Sequence, residues 1–181
     1  MATSTEEARL ESLFYEHFSA VRAYMRRRAP EAMVDDVVAE TFLVAWRKID
    51  HLPDDVRPWL LGVARKTLST QLRAARRRTS LVEKLKTSER ADAAFSQVDG
   101  SDTELIDSLK SLSPTDQEVL ALAVWEELKP REAATVLGVS PAWYRVRLHR
   151  AKRRLLRELE RSAWSAGQPV PVHLTREGVA K

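Results

Sequence analysis

Val34, Val37, Val38, Thr41, Phe42, Ala45, Trp46 and Ile49 form an unbroken i, i+3, i+4 stripe over four turns. That period fits one face of an α-helix and excludes a half-buried strand, in which every second side chain must face the core. A similar stripe precedes it, with Leu10, Leu13, Phe14, Phe18, Val21 and Met25 predicting a helix from about Thr5 to Arg28 that Pro30 ends. No stretch shows sustained apolar alternation, and five glycines and eight prolines in 181 residues leave long runs free of helix breakers. The chain is expected to be all-α.

The striped segment spans about Pro30 to Asp50, and His51 to Arg57 then interrupts the period with Pro53 followed by two aspartates. Pro58 suits the start of a third helix, Trp59 to about Arg78, whose inward stripe would be Leu60, Val63, Ala64, Thr67, Leu68, Gln71 and Leu72. Three helices make one small core. From about Thr79 to Gly100 large apolar residues give way to Ser, Asp and Ala, the composition of a solvated linker whose opening, Leu81 to Leu85, still suits a helix. The helical period resumes at Asp102 in four short pieces: Leu105 to Leu112, Pro114 to Val124, Pro130 to Leu137 and Pro141 to about Arg161. The expected organisation is therefore a helical domain over 1–80, an acidic flexible linker over 81–102, a second helical domain over 103–162 and an unstructured tail over 163–181.

Charge is small in total, +4, but unevenly placed. Seven basic residues and no acids lie between Arg57 and Arg78, and eight basic residues face only Glu158 and Glu160 between Ser140 and Arg161. Six acids against one arginine separate these blocks, from Glu89 to Asp107. Two basic modules flanking an acidic middle point to a polyanionic partner. The absence of cysteine rules out disulfides and thiolate metal sites, and His17, His51, His149 and His173 stand too far apart to share a metal, so no metal and no cofactor is expected. No run of about 18 apolar residues offers a membrane span, and the first residues, Met-Ala-Thr-Ser-Thr-Glu-Glu, lack the form of an export signal. A soluble cytoplasmic protein without a membrane partner is the expectation.

Residues 131–150 carry the logic of a helix-turn-helix. Ala134 is small where two helices would cross, and Gly138 takes a positive φ without steric cost. Val139 plugs the turn, Ser140 serves as N-cap and Pro141 as first helical residue. Tyr144 and Leu148 would point inward, leaving Ala142, Trp143, Arg145, Val146, Arg147, Arg150 and Arg153 on the outward and lateral faces. A helix so arranged suits the major groove, with early residues at base edges and later cations at phosphates. Arg145 and Arg147 are the first candidates for base contacts.

With both modules in place, the sequence resembles sigma factors of the extracytoplasmic-function class, which keep a three- to four-helix region-two domain and a helix-turn-helix region-four domain. The resemblance rests on Asp35-Asp36-Val37-Val38-Ala39-Glu40-Thr41-Phe42-Leu43-Val44-Ala45-Trp46 and on Arg57-Pro58-Trp59-Leu60-Leu61-Gly62-Val63-Ala64-Arg65 in the first module. In the second it rests on Leu112-Ser113-Pro114, Glu118-Val119-Leu120 and the closing Arg147-Leu148-His149-Arg150-Ala151. It implies a non-enzymatic subunit that binds core RNA polymerase, through the β′ clamp coiled coil and the β flap, and directs promoter recognition, melting and initiation. Position by position, it gives polymerase docking to Asp36, Glu40 and Leu43, with Phe42 and Trp46 in the core. Capture of a flipped base and the minus-ten element falls to His51, Leu52, Asp54, Asp55, Arg57, Arg65, Lys66, Arg73, Arg76 and Arg77. Reading of the minus-thirty-five element falls to Ser140, Ala142, Trp143, Arg145, Val146, Arg147, Arg150 and Arg153. Promoter DNA is thus met as duplex and as melted strand, and an anti-sigma factor is a frequent further partner in the family. The sequence departs from the family pattern at Ala39, where a glutamine is common, at Lys66 and Thr70, and at Trp143, where a small threonine is usual.

Two other readings compete. A stand-alone helix-turn-helix regulator explains the second module but gives the basic helix from Arg57 to Arg78 no purpose. A hydrolase built on Asp35, Asp36 and Glu40 lacks a histidine to complete its site.

Overall fold

The computed structural model describes residues 4–82 and 103–166, so most of the expected acidic linker and the tail beyond residue 166 lie outside the described residues. Helices α1 (Ser4–Arg26), α2 (Glu31–Trp46) and α3 (Val56–Val82), with a 3-10 turn at Ile49–His51 before α3, build the first module. Helices α4 (Thr103–Ser111), α5 (Pro114–Val124), α6 (Pro130–Leu137) and α7 (Pro141–Ala166) build the second. No strand occurs among the described residues. Two helices run past their expected ends, α3 by four residues beyond Arg78 and α7 by five beyond Arg161. The cause is local: no glycine or proline interrupts residues 79–82, where Leu81 already suited a helix, and Gly167 is the first breaker after α7. The second helix ends earlier than expected, at Trp46, and Ile49 enters the core from the 3-10 turn instead.

The first module buries Val21, Tyr24 and Met25 of α1 against Val34, Val37, Val38, Phe42 and Ala45 of α2 and Leu60, Ala64 and Leu68 of α3. Thr41 sits in the same stripe because its hydroxyl donates to the Val37 carbonyl at 2.7 Å, which satisfies it without a solvent contact. In the second module Ser113 caps α5 by accepting from the Asp116 amide, and Glu132 accepts from the Lys129 amide at the start of α6. Tyr144 is fully buried and its hydroxyl donates to the Val119 carbonyl at 3.0 Å, tying α7 to α5. Burial pushes its pKa up to about 12, so the phenol stays a donor.

The turn between α6 and α7 forms as the sequence demands. Gly138 has φ 69° and ψ 37°, and the Val139 amide returns to the Ala134 carbonyl at 3.0 Å. No heavy atom lies within 4 Å of where a Cβ on Gly138 would sit, so a side chain there meets strain and no clash. Gly138→Ala is therefore expected to cost about 1 kcal/mol, read as a lower melting temperature with the helical signal unchanged.

Packing between the modules is the feature that sequence periodicity did not announce. Leu61 and Gly62, outside the expected stripe, are buried because α6 lies on that side of α3. At Gly62 the helices come so close that a Cβ would stand 3.5 Å from the Thr135 carbonyl oxygen and the Val136 Cα. One continuous apolar cluster runs from Val21, Leu60 and Leu61 in the first module to Val119, Leu122, Ala133, Val136 and Tyr144 in the second.

Candidate nucleic-acid interface

On α2, Asp36, Glu40 and Leu43 fall at i, i+4 and i+7 and so share one face. Asp36 is exposed, Leu43 is 48% exposed, and Glu40 meets Arg47 at 3.6 Å in a solvated pair of little energetic weight. Beside them an apolar groove of about 740 Å³ opens between α1 and α2, lined by Leu10, Phe14, Tyr15, Phe42, Leu43 and Trp46. Phe42 is buried as expected, while Trp46 is only half-buried and forms part of the groove wall. Phe14 and Tyr15 stay exposed at 41% and 78%, an aromatic patch next to carboxylates.

The loop before α3 displays His51, Asp54 and Asp55 to solvent and half-buries Leu52. Arg57 behaves differently, since its guanidinium donates to the Glu126 carbonyl of the second module at 3.1 Å. Along α3, Arg65, Lys66, Arg73, Arg76 and Arg77 are all exposed. Arg65, Arg73 and Arg76 line a cleft of about 400 Å³ whose far wall includes Pro114, Thr115 and Trp143. Lys66 lies on the opposite side of the helix, with Lys48 and Trp59 in a separate groove.

On α7 the helix starts where expected, with the Ser140 hydroxyl accepting from the Trp143 amide at 3.1 Å. Ala142, Trp143, Arg145, Val146, Arg150 and Arg153 are exposed. Arg147 is half-buried and already engaged. Its Nε lies 2.6 Å from Asp116 Oδ1, an ion-pair contact not aligned as a hydrogen bond, and its Nη2 donates to the Ser113 hydroxyl at 3.1 Å. Arg154 reaches the other oxygen of the same carboxylate at 2.5 Å. Asp116 is only 1% exposed, so a buried acid on α5 fixes two cations of α7 and with them the rotation of that helix.

A second buried charge cluster joins the modules. Arg27 donates to both carboxylate oxygens of Glu126 at 2.7 and 2.8 Å, and Arg28 reaches Glu118 at 3.0 Å and Glu126 at 3.1 Å. The Tyr24 hydroxyl donates to Glu118 at 3.0 Å, and the Arg28 guanidinium lies 3.7 Å from the centre of the Tyr24 ring. Burial raises the Tyr24 pKa well above its usual value, and the Glu118 charge adds to that. Burial opposes the charge on Arg28, yet Tyr24, Glu118 and Glu126 outweigh it and its pKa rises. Sequence reasoning gave no role to Tyr24, Arg27, Arg28, Asp116 or Glu126. At position 116 the pattern signals only an acid in the first turn of a capped helix, and no local signal pairs residues that belong to different helices or their ends, up to 99 positions apart.

Among the described residues no group of three His, Asp or Glu side chains could hold a metal, and no helix is long and apolar enough to cross a membrane.

Two family models match the chain, Sigma-70 region 2 over residues 13–78 and Sigma-70, region 4 over residues 102–155. The RNA polymerase sigma factor CarQ of Myxococcus xanthus is 31% identical over 157 residues, covering 83% of this chain and 90% of CarQ. The ECF RNA polymerase sigma factor SigL of Mycobacterium tuberculosis is 29% identical over 160 residues, 85% of this chain and 90% of SigL. Among solved structures, the sigma factor RpoE in complex with the anti-sigma factor NepR from Bartonella quintana superposes with a TM-score of 0.61 at 21% identity, covering 83% of this chain and 96% of that one. CnrH in complex with the cytosolic domain of CnrY superposes with a TM-score of 0.55 at 26% identity, covering 88% and 89%.

Proposed function

Because the chain belongs to the extracytoplasmic-function sigma factors of the sigma-70 family, we propose a division of labour among the surfaces just described. A sigma factor binds core RNA polymerase and directs promoter recognition and transcription initiation, and what remains to be assigned is which residues do each part. The single observation that carries the assignment is that α2 offers carboxylates beside an apolar groove on one side, while α3 and α7 offer exposed arginines elsewhere.

Asp36, Glu40 and Leu43 dock on the β′ clamp coiled coil, with the aromatic groove of α1 and α2 receiving apolar side chains from it. His51, Leu52, Asp54 and Asp55 form the loop that captures a flipped base, and a pocket that binds such a base offsets the few kcal/mol of unstacking it. Arg57, once released from Glu126, joins Arg65, Lys66, Arg73, Arg76 and Arg77 on the minus-ten strand. Ser140, Ala142, Trp143, Arg145, Val146, Arg150 and Arg153 face the minus-thirty-five duplex, while Arg147 acts chiefly through the set of the helix. Trp143 presents a large ring where family members carry a small threonine, so base preference at that position is this chain's own.

The protein works in the cytoplasm, where its polymerase is, and carries no catalytic site of its own. The region-four module also meets the β flap. A protein inhibitor of the anti-sigma kind belongs to the same reading; the shared fold with CnrH, captured with the cytosolic domain of CnrY, supports a protein partner of this type.

Asp36→Lys with Glu40→Lys is expected to weaken binding to core polymerase at least about tenfold, since like charge replaces opposite charge at the rim of an interface. Binding of α7 to duplex DNA should not change. Co-purification with core enzyme and run-off transcription from a selected promoter read the two effects, and normal retention on core polymerase would move the docking site elsewhere.

A further inference from the structure

We infer that Ala142 and Val146 read thymine methyl groups in the major groove, so that the duplex element facing α7 carries thymine at fixed positions. The inference rests on the sigma-factor reading and adds to it the chemistry of the bases preferred. Three of the first six residues of α7, Ala142, Trp143 and Val146, are apolar and exposed, Val146 at 52%. A lone exposed valine is ordinary, but the placement of these side chains is not. Tyr144 is fully buried and donates to the Val119 carbonyl, so it marks the core side of the helix. Ala142 and Val146 lie two positions before and two after it, which at about 100° per residue puts each about 160° round the helix from the core. They therefore occupy the centre of the outward face, with exposed Arg145 beside them and Arg150 and Arg153 further along. Trp143 lies to one side, where it lines a cleft with Pro114 and Thr115.

The aim of this face is fixed from three directions. Ser140 caps its start through the Trp143 amide, Tyr144 ties it to α5, and Asp116 holds Arg147 and Arg154 on the flank. Arg147 is thereby withdrawn from base edges, which leaves Arg145 as the exposed arginine of the first two turns. One guanidinium and two apolar side chains then make up the part of α7 that reaches deepest into a groove.

Of the groups by which bases are told apart in the major groove, only the thymine C5 methyl is apolar; the others donate or accept hydrogen bonds. An apolar side chain set against a cytosine amino group or a purine N7 leaves that group without water or partner. Set against a thymine methyl, it removes apolar surface from water on both sides of the contact. Valine suits the task, because its branched side chain holds one rotamer in a helix and loses little freedom on contact. Side chains at i and i+4 stand roughly 5–6 Å apart, less than two base-pair steps of about 3.4 Å. The two thymines therefore fall on neighbouring base pairs or have one pair between them.

Duplexes selected from random sequence by the full-length chain should share such thymines. Replacing one of them with deoxyuridine, which deletes only the methyl, should weaken binding about fourfold, as the loss of one buried carbon group gives. Cytosine there should bind more weakly than thymine, and 5-methylcytosine should recover about fourfold over cytosine. Val146→Ala should bind thymine and deoxyuridine duplexes alike at one of these positions, with helicity and salt dependence as in the wild type. A merely structural loss would weaken both duplexes equally and leave their ratio near four. Selected sites without a common thymine, or equal binding of thymine and deoxyuridine duplexes at every position, overturn the assignment, whether or not the variant folds. So does a Val146→Ala chain of normal helicity that keeps the wild-type ratio throughout. Failure of the wild-type chain to start transcription with core polymerase on any promoter would instead overturn the sigma-factor reading and leave the methyl preference standing.

Discussion

Arg147→Ala combined with Arg154→Ala is expected to cost about 3–5 kcal/mol of stability, whereas Asp116→Asn costs about 1–2 kcal/mol. The asymmetry follows from which charge each change leaves behind. Removing both arginines strands a carboxylate that is 1% exposed, with only the Ser113 cap nearby. Removing the carboxylate leaves two guanidiniums whose side chains are already 27% and 43% exposed and can turn to water. In a helical unit of this size the larger loss lowers the melting temperature by about 15 °C or more. Loss of Arg147 alone should then weaken duplex binding across all sequences, because α7 loses one of its two arginine ties to Asp116 of α5. Arg145→Ala should instead relax preference at one base position, at about 1–3 kcal/mol. Thermal melting with a binding-specificity profile separates them, and an Arg147→Ala profile altered at a single base would return Arg147 to the DNA.

What could be read from the sequence divides along the range of the interactions. The stripe from Val34 to Ala45 and the Gly138–Val139–Ser140–Pro141 turn depend on contacts a few residues apart, and both stand as the pattern predicts. Helix ends were less legible, because α3 and α7 continue through residues that include no glycine or proline. The burial of Leu61 escaped a reading based on a single stripe, since a helix packed on two sides needs a second face that only α6 defines. Arg147 shows the same limit at the site. Periodicity places it on the flank of α7, but whether it turns to DNA or to Asp116 is decided by how α5 crosses that helix. The Arg27–Arg28 cluster had no local signal, its partners lying in the other module.

Duplex binding through α7 should weaken about 12-fold between 50 and 200 mM salt, corresponding to a slope near −1.8 for two neutralised phosphates at about −0.9 each. The two are assigned to Arg150 and Arg153, which face solvent beside the base-reading Arg145, whereas Arg147 and Arg154 are held by Asp116. Each of Arg150→Ala and Arg153→Ala should therefore make the slope shallower by about 0.9. Arg147→Ala should lower affinity while leaving the slope where it was, because a guanidinium held on the Asp116 and Ser113 side chains does not reach a phosphate and so displaces no counterion from DNA. Fluorescence anisotropy of a labelled duplex titrated at several salt concentrations reads both quantities at once. A slope that falls for Arg147→Ala as much as for Arg150→Ala would mean that Arg147 leaves Asp116 on binding, and the role of Asp116 would then end where DNA contact begins.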